Sequence, residues 1–337
     1  MTLDKTTIAV DLMGGDNSPY KTIKGVEIFS NQNDQVKLIL LGEQKKIEEV
    51  FTSHNIKIHN YEIINTIDNI QNDDSTNIIL RKKKESSIYK GLSLVKELSA
   101  SGFVSAGNTG ALMILSRLML GMIEGVDRPA ICSMIPNIRD YSIILDLGAN
   151  STVAAKNLFQ FALMGYCYHL LLKPNVQPKI GIINIGTEDN KGLEFLKDAS
   201  DLINNSFLKK NFIGFIEPNK ITSGICDVMV SDGYTGNIML KTAEGMSQFI
   251  TDNLKKIFNK SLINVFAYKI LENDLKTFKD QINPDKYNGA IFIGVNGISI
   301  KSHGSATPYA FSCAIQKCYD FIYNDINKKI RDNFNLI

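Results

Sequence analysis

The chain has 337 residues, 44% hydrophobic and 21% charged, with a formal net charge of +2. That profile fits a globular protein with a large core, as one big α/β unit or two intimately joined lobes. It excludes a generally basic nucleic-acid binder. Five cysteines (Cys132, Cys167, Cys226, Cys313 and Cys318) form no CxxC pair, and the N-terminus is not signal-like. They read as reduced thiols of a cytosolic protein, with Cys132 and Cys226 packed in apolar strands. The most apolar stretches, Ala111–Ile123 and Phe161–Leu172, are too short to span a bilayer, and each holds an ionisable residue (Arg117, His169).

Thr7–Val10 predicts a buried first strand. Ser18 then Pro19 predicts an N-cap with proline at the first helical position, for a helix to about Ser30. Val36–Leu41 reads as a strand, Glu43–Phe51 as a helix, Ile56–Ile64 as extended, and Asn65–Asn77 as loop. The basic cluster Arg81–Lys84 precedes a helix ending near Ser99. Strands follow at Phe103–Ser105, Ala130–Ile135 and Tyr141–Leu145, with helices at Thr109–Leu120 and Thr152–Leu172. Lys179–Ile183, Phe212–Ile216 and Val228–Val230 are further strands, and Leu193–Asn204 is a helix.

From Gly245 to about Ile282, apolar residues recur at three- and four-residue steps, with lysines at 255, 256, 260, 269, 276 and 279. Pro284 closes this helical excursion (246–285). Ala290–Ile293 and Ile298–Lys301 are the last strands, before a helix from about Ala306. Alternating strands and helices predict a layered α/β fold with a mainly parallel sheet, in a single catalytic unit over 1–337.

Glycine-bearing polar loops follow many of these strands. They hold Asp11, Gly14, Gly15 and Asp16; Ser105, Gly107, Asn108, Thr109 and Gly110; Asn150; Asn184, Gly186 and Glu188; and His303. After Val230, the turn Asp232-Gly233-Tyr234-Thr235-Gly236-Asn237 leads to a helical pattern opening at Ile238. A strand that empties into such a loop and then a helix presents backbone N–H groups suited to anions. In a parallel sheet the loops are expected along one edge, at the carboxyl ends of the strands.

The strand-end acids Asp11, Asp16, Asp146, Glu188 and Asp232 are expected to order loops, since no compact set of histidines or carboxylates sets up a metal. Lys191, in NIGTEDNKG, is placed to clamp phosphate or steady an oxyanion; as a surface lysine near a helix start it would oppose the helix dipole. Lys241 either faces the site or is solvated. GxSxG, GxxxxGK[ST] and strand-borne GxGxxG motifs are missing, so the expected ligand is phosphate or a phosphorylated metabolite.

Seven stretches in register resemble the PlsX family of phosphate acyltransferases: DLMGGDNSP (11–19), SAGNTGALM (105–113), RPAI (128–131), DLGAN (146–150), NIGTEDNKG (184–192), DVMVSDGYTGN (227–237) with LKTAEG (240–245), and IKSHGSA (300–306). Leu12, Ile88 and Tyr234 depart from the usual residues without removing a polar group. The resemblance implies reversible acyl transfer from acyl carrier protein to orthophosphate, with no cofactor expected. The alternatives are an acyl-CoA-dependent phosphotransacylase and a metal- and NAD-dependent decarboxylating dehydrogenase of isocitrate dehydrogenase type. The acyl-phosphate product would feed phospholipid synthesis through a downstream glycerol-3-phosphate acyltransferase. It further implies a Rossmann-like α/β/α fold akin to phosphotransacetylases and isocitrate dehydrogenases, a homodimer, and a cytoplasmic enzyme that touches the membrane peripherally.

In that chemistry Lys191 carries the main charge role, and Asn237 and Asn108 are side-chain donors. Gly107, Gly110, Gly233 and Gly236 shape the cradle, and Asp232 orders residues 233–237. Thr235 adds a polar group at the same turn. His303 orients phosphate or assists thiolate departure. Acyl carrier protein is acidic and suits either Arg81–Lys84 or the lysines of 255–279. The excursion itself reads as a dimer interface, a membrane-touching surface or ordinary packing, with dimerisation favoured and an apolar tip available to lipid.

Overall fold

The computed structural model describes residues 6–68, 70, 74, 76–188 and 190–335. Residues 69, 71–73 and 75 of the expected 65–77 loop lie outside these, as does the side chain of Lys279. The first half runs β1 (Thr7–Asp11), α1 (Tyr20–Ser30), β2 (Lys37–Gly42), α2 (Gln44–Ser53), β3 (Tyr61–Asn65), α3 (Thr76–Lys82), α4 (Ser87–Lys96), β4 (Gly102–Ser105) and α5 (Thr109–Leu120). It continues with β5 (Ala130–Pro136), β6 (Tyr141–Leu145), α6 (Ala155–Leu172), β7 (Ile180–Ile183), α7 (Glu194–Asn204), β8 (Phe212–Ile216) and β9 (Val228–Val230). Then come α8 (Gly233–Phe258), α9 (Leu262–Ile270), α10 (Glu272–Ile282), β10 (Ala290–Ile293), β11 (Ile298–Lys301), α11 (Pro308–Tyr323) and α12 (Ile326–Phe334).

The strands form one sheet in the order β3-β2-β1-β4-β11-β10-β5-β6-β9-β7-β8. Helices cover both faces, which is why the strands read as nearly unbroken apolar runs. Along β1 and β2, Ile8, Val10, Leu38 and Leu40 join one buried cluster with α1, α6, α11 and α12. Ala9, Ile39 and Leu41 face the other way, into a cluster with α4, α5 and the start of α8. The result is three α/β/α layers. All five cysteines are free, and Cys132 and Cys226 are buried as expected. Burial pushes the Cys226 thiol up to about 12, which suits packing rather than reaction.

Several boundaries differ from expectation. Ser18 does not cap α1; its hydroxyl donates to the Gly14 carbonyl (2.5 Å), and Pro19 takes the cap position. The extended stretch contracts to Tyr61–Asn65, and Arg81 and Lys82 belong to the last turn of α3. The C-terminal helix breaks in two because Asp325 adopts φ +46° and caps α12 through the Lys328 N–H.

The excursion returns to the core through a 3-10 turn at Pro284–Tyr287. Its landing is held by Lys317, only 7% exposed, whose ammonium donates to the carbonyls of Tyr287 and Gly289. Burial lowers this lysine to about 7. The unfolded chain keeps the proton up to about 10.4, so it binds more protons than the native state between these values, and stability rises with pH there.

Urea melts should therefore show unfolding free energy climbing between pH 7 and 8 by on the order of 1 kcal/mol. Lys317→Met should flatten that climb; equal slopes in both proteins would contradict the assignment.

Candidate active site

Two buried carboxylates frame the site. Asp11, at the end of β1 and 1% exposed, accepts the N–H groups of Met13 (2.9 Å) and Gly14 (3.2 Å) and the Ser105 hydroxyl (2.6 Å). Ser105 Oγ in turn accepts the Gly107 N–H (2.9 Å). Asp146, at the end of β6 and 0% exposed, accepts the N–H groups of Ile131 (2.9 Å), Gly148 (3.1 Å), Ala149 (2.9 Å) and Asn150 (2.7 Å). The Asn150 amide bonds the same carboxylate (2.9 Å) and the Pro129 carbonyl (2.7 Å). Burial raises both acids above the usual range while these hydrogen bonds pull them back. These two carboxylates thus order their own loops, and the N–H groups they gather are spent inward.

The 232–237 stretch is not a turn ahead of a helix. Helix α8 begins at Gly233, with Asp232 as its cap: Oδ1 accepts the Thr235 N–H (2.9 Å) and Oδ2 its hydroxyl (2.7 Å). The glycines serve a close approach. A Cβ on Gly233 would lie 2.7 Å from Asp146 Oδ2, and one on Gly236 would strike the Asp146 carbonyl. Gly233 N–H donates to the Asn150 carbonyl (2.8 Å) and Gly236 N–H to the Asp232 carbonyl (2.9 Å). Most first-turn donors of α8 are therefore engaged. Asn237 is exposed beside Gly148, and Lys241 is exposed one turn further on.

Asn184, at the end of β7 and 4% exposed, ties its loop by accepting the Ile185 N–H (2.8 Å) and donating to the Lys191 carbonyl (3.2 Å). Gly186 packs against the Lys191 stem. Lys191 Nζ pairs with Glu188 at 2.8 Å, both side chains half exposed. The pairing raises the lysine and lowers the glutamate, so Lys191 stays cationic at neutral pH. An exposed pair of this kind is weakly held.

On β4 and β11 the pattern differs. Asn108 caps α5 by accepting the Ala111 N–H (2.8 Å), and Thr109 and Gly110 form its exposed first turn. Exposed His303 bonds Ser305 Oγ through Nδ1 (2.8 Å). The Gly304 carbonyl accepts the Asp16 N–H (2.8 Å), close to Gly15. Gly14, Asp16, Lys21, Ala106, His303 and Gly304 line a small cleft.

Two lysines here escaped the sequence reading. Lys21 follows the start of α1. Lys301 donates to the carbonyls of Ala106 (3.2 Å) and Ser302. Burial lowers Lys301 to about 8, with the Asp11 charge opposing. In the sequence Lys301 stands within IKSHGSA as the charge closing an otherwise apolar strand, and no role was given to it.

The loops do not leave one sheet edge. Strands β1, β2, β3, β4 and β11 run together, β10 is antiparallel to β11 and β5, and β6 is antiparallel to β5. β7, β8 and β9 follow β6. The site residues accordingly form two groups: Asp11, Asp16, Asn108 and His303 on the first set of strands, and Asn150, Lys191, Asp232 and Asn237 on the second. Within the second, β7 and β9 are neighbours, which brings the Lys191 and Asn237 segments side by side.

Residues 6–329 match the family described as "Fatty acid synthesis protein". The chain is 39% identical to a phosphate acyltransferase of Clostridium tetani, covering 96% of this chain and 97% of that one. It is 38% identical to a phosphate acyltransferase of Pelagibacter ubique, covering 97% and 98%. Among solved structures, a phosphotransacetylase from Streptococcus pyogenes shares the fold (TM-score 0.60, 16% identity, 93% of each chain). Another from Staphylococcus aureus does so at TM-score 0.59 and 14% identity, covering 96% of this chain and 94% of that one. With relatives this similar along nearly their whole length, the chain is an enzyme that belongs to the PlsX family of phosphate acyltransferases.

Proposed function

We propose that the two groups of loops face a common cleft, in which orthophosphate takes the acyl group of an acyl carrier protein thioester. The reversal at β5 and β6 would by itself point the groups apart. Sheet twist of about 20–25° per strand, summed over the six steps from β1 to β9, turns strand directions by about 120–150° and largely undoes it.

A phosphate oxygen attacks the thioester carbon, and the carbonyl electrons move onto oxygen. The C–S bond then breaks, and thiolate leaves with the electron pair. A thiol pKa of about 8.5 makes it a good leaving group, so the protein need supply neither nucleophile nor strong acid. Its task is to position phosphate and stabilise the oxyanion. Lys191 supplies charge and Asn237 and Asn108 donate hydrogen bonds. Thr109, Gly110 and the cleft residues Gly14 and Asp16 shape the phosphate pocket, and His303 orients the anion. Lys241 is a second cation beside Asn237.

The observation that carries this reading is the exposure of Lys191, Asn237 and His303, with Asn108 half-buried at the cap of α5, beside loops whose backbone N–H groups are bound inward to Asp11, Ser105 and Asp146. Exposed donors on a fixed frame suit a small oxyanion. The acyl phosphate formed would serve phospholipid synthesis, its consumer a glycerol-3-phosphate acyltransferase.

The excursion is proposed as the homodimer contact, with its tip available to a membrane surface. No residue of α9 is buried; Leu262, Ile263 and Phe266 are 88%, 80% and 66% exposed. Burying each such side chain would contribute about 1.5–3 kcal/mol, so a partner surface is strongly favoured. Among the described residues, no helix is long and apolar enough to cross a membrane.

Mixing the protein with palmitoyl acyl carrier protein and labelled orthophosphate should yield a hydroxylamine-sensitive labelled product. The CoA thioester of equal chain length should react less well; the opposite ranking would replace the carrier protein as donor. Lys191→Ala should keep its fold and lose about 10²-fold in turnover, and near-normal turnover would remove Lys191 from the mechanism. Charged substitutions at Leu262, Ile263 and Phe266 should lower dimer mass or liposome binding. If both survived intact, the role given to the excursion would be lost.

A further inference from the structure

Helix α8 leaves the second group of loops at Asp232, and the excursion it feeds returns beside the first group at Asn288. There the Asn288 amide is fully used. Nδ2 donates to Ser302 Oγ (2.8 Å) and to the Ala310 carbonyl (2.8 Å), and Oδ1 accepts the His303 N–H (3.0 Å). The flanking residues are fastened to the same region. Asp285 accepts the Thr307 hydroxyl (2.7 Å), and Lys317 holds the carbonyls on either side of Asn288.

From residues 302–304 the bonds run on into the site. Ser302 N–H donates to the Ser105 carbonyl (2.9 Å), and the Gly304 carbonyl takes the Asp16 N–H (2.8 Å). Lys301 adds its bond to the Ala106 carbonyl. The loops after β1, β4 and β11 therefore meet at a stretch that one asparagine pins to the root of the excursion.

We propose that Asn288 is a positioning residue: it sets the backbone of 302–304, and through it His303 and the Asp16 loop, from the landing of the excursion. The arrangement requires two donors and an acceptor on one short side chain. Aspartate lacks the donors, alanine lacks all three groups, and glutamine moves them by a methylene. Phosphate geometry is sensitive to such shifts, because small misplacements cost large factors in rate. The inference rests on the reading of the 302–304 loop as part of the phosphate site.

Steady-state kinetics with varied orthophosphate would test it, using Asn288→Ala, His303→Ala and the double variant, each with a thermal melt. Asn288→Ala should lower kcat/KM for phosphate about tenfold or more, and by less than about twofold when His303 is already alanine. An asparagine that only holds the fold would lower Tm alike in both backgrounds and leave kcat/KM unchanged or additive; either result overturns the proposal. If both single variants are silent, the inference falls.

Discussion

The change of strand direction in the middle of the sheet is the constraint on which this molecule depends. Strand β5 pairs through Ala130–Cys132 with β10 and through Ser133–Pro136 with β6, both antiparallel. With the antiparallel pairing of β10 to β11, three successive reversals thus join two parallel sets of strands that run in opposite senses. A flat sheet built this way would send its two sets of loops to opposite edges. Twist rotates the second half toward the first, and on the proposed reading this is what brings both sets of loops to one cleft.

Within each half, a buried aspartate does equivalent work. Asp11 and Asp146 end β1 and β6, both are followed by leucine, and both gather the N–H groups of their own loop. A buried carboxylate is costly unless it is well hydrogen-bonded, and these two are satisfied by backbone that would otherwise be open to a ligand. These loops are ordered as a consequence, and in the proposed site anion binding falls mainly to side chains. That division suits the proposed phosphate site, in which ordered loops carry half-exposed side chains such as the Lys191 ammonium resting on Glu188.

Much of the fold was legible in the sequence. Tyr141–Leu145, Phe212–Ile216, Val228–Val230, Ala290–Ile293 and Ile298–Lys301 read to the residue, because strands covered on both faces are continuous apolar runs. Strand direction was not legible, since alternation carries no polarity. The start of α8 was misread because glycine ordinarily weakens helices. Gly233 and Gly236 are there to let the helix settle on the Asp146 loop. Asn108, Lys191, Asn237 and His303 stood out as polar groups at strand ends. Lys301, Lys317 and Asn288 did not, because their importance lies in carbonyls and amides brought to them by distant segments.

The most direct measurement is diffraction from crystals equilibrated with orthophosphate. The bound anion should lie within about 3 Å of donors from both halves, with the Asn108 end of α5 on one side and Lys191 or Asn237 on the other. Phosphate held by one half alone, with the other set of loops turned away, would contradict a site assembled across the reversed sheet.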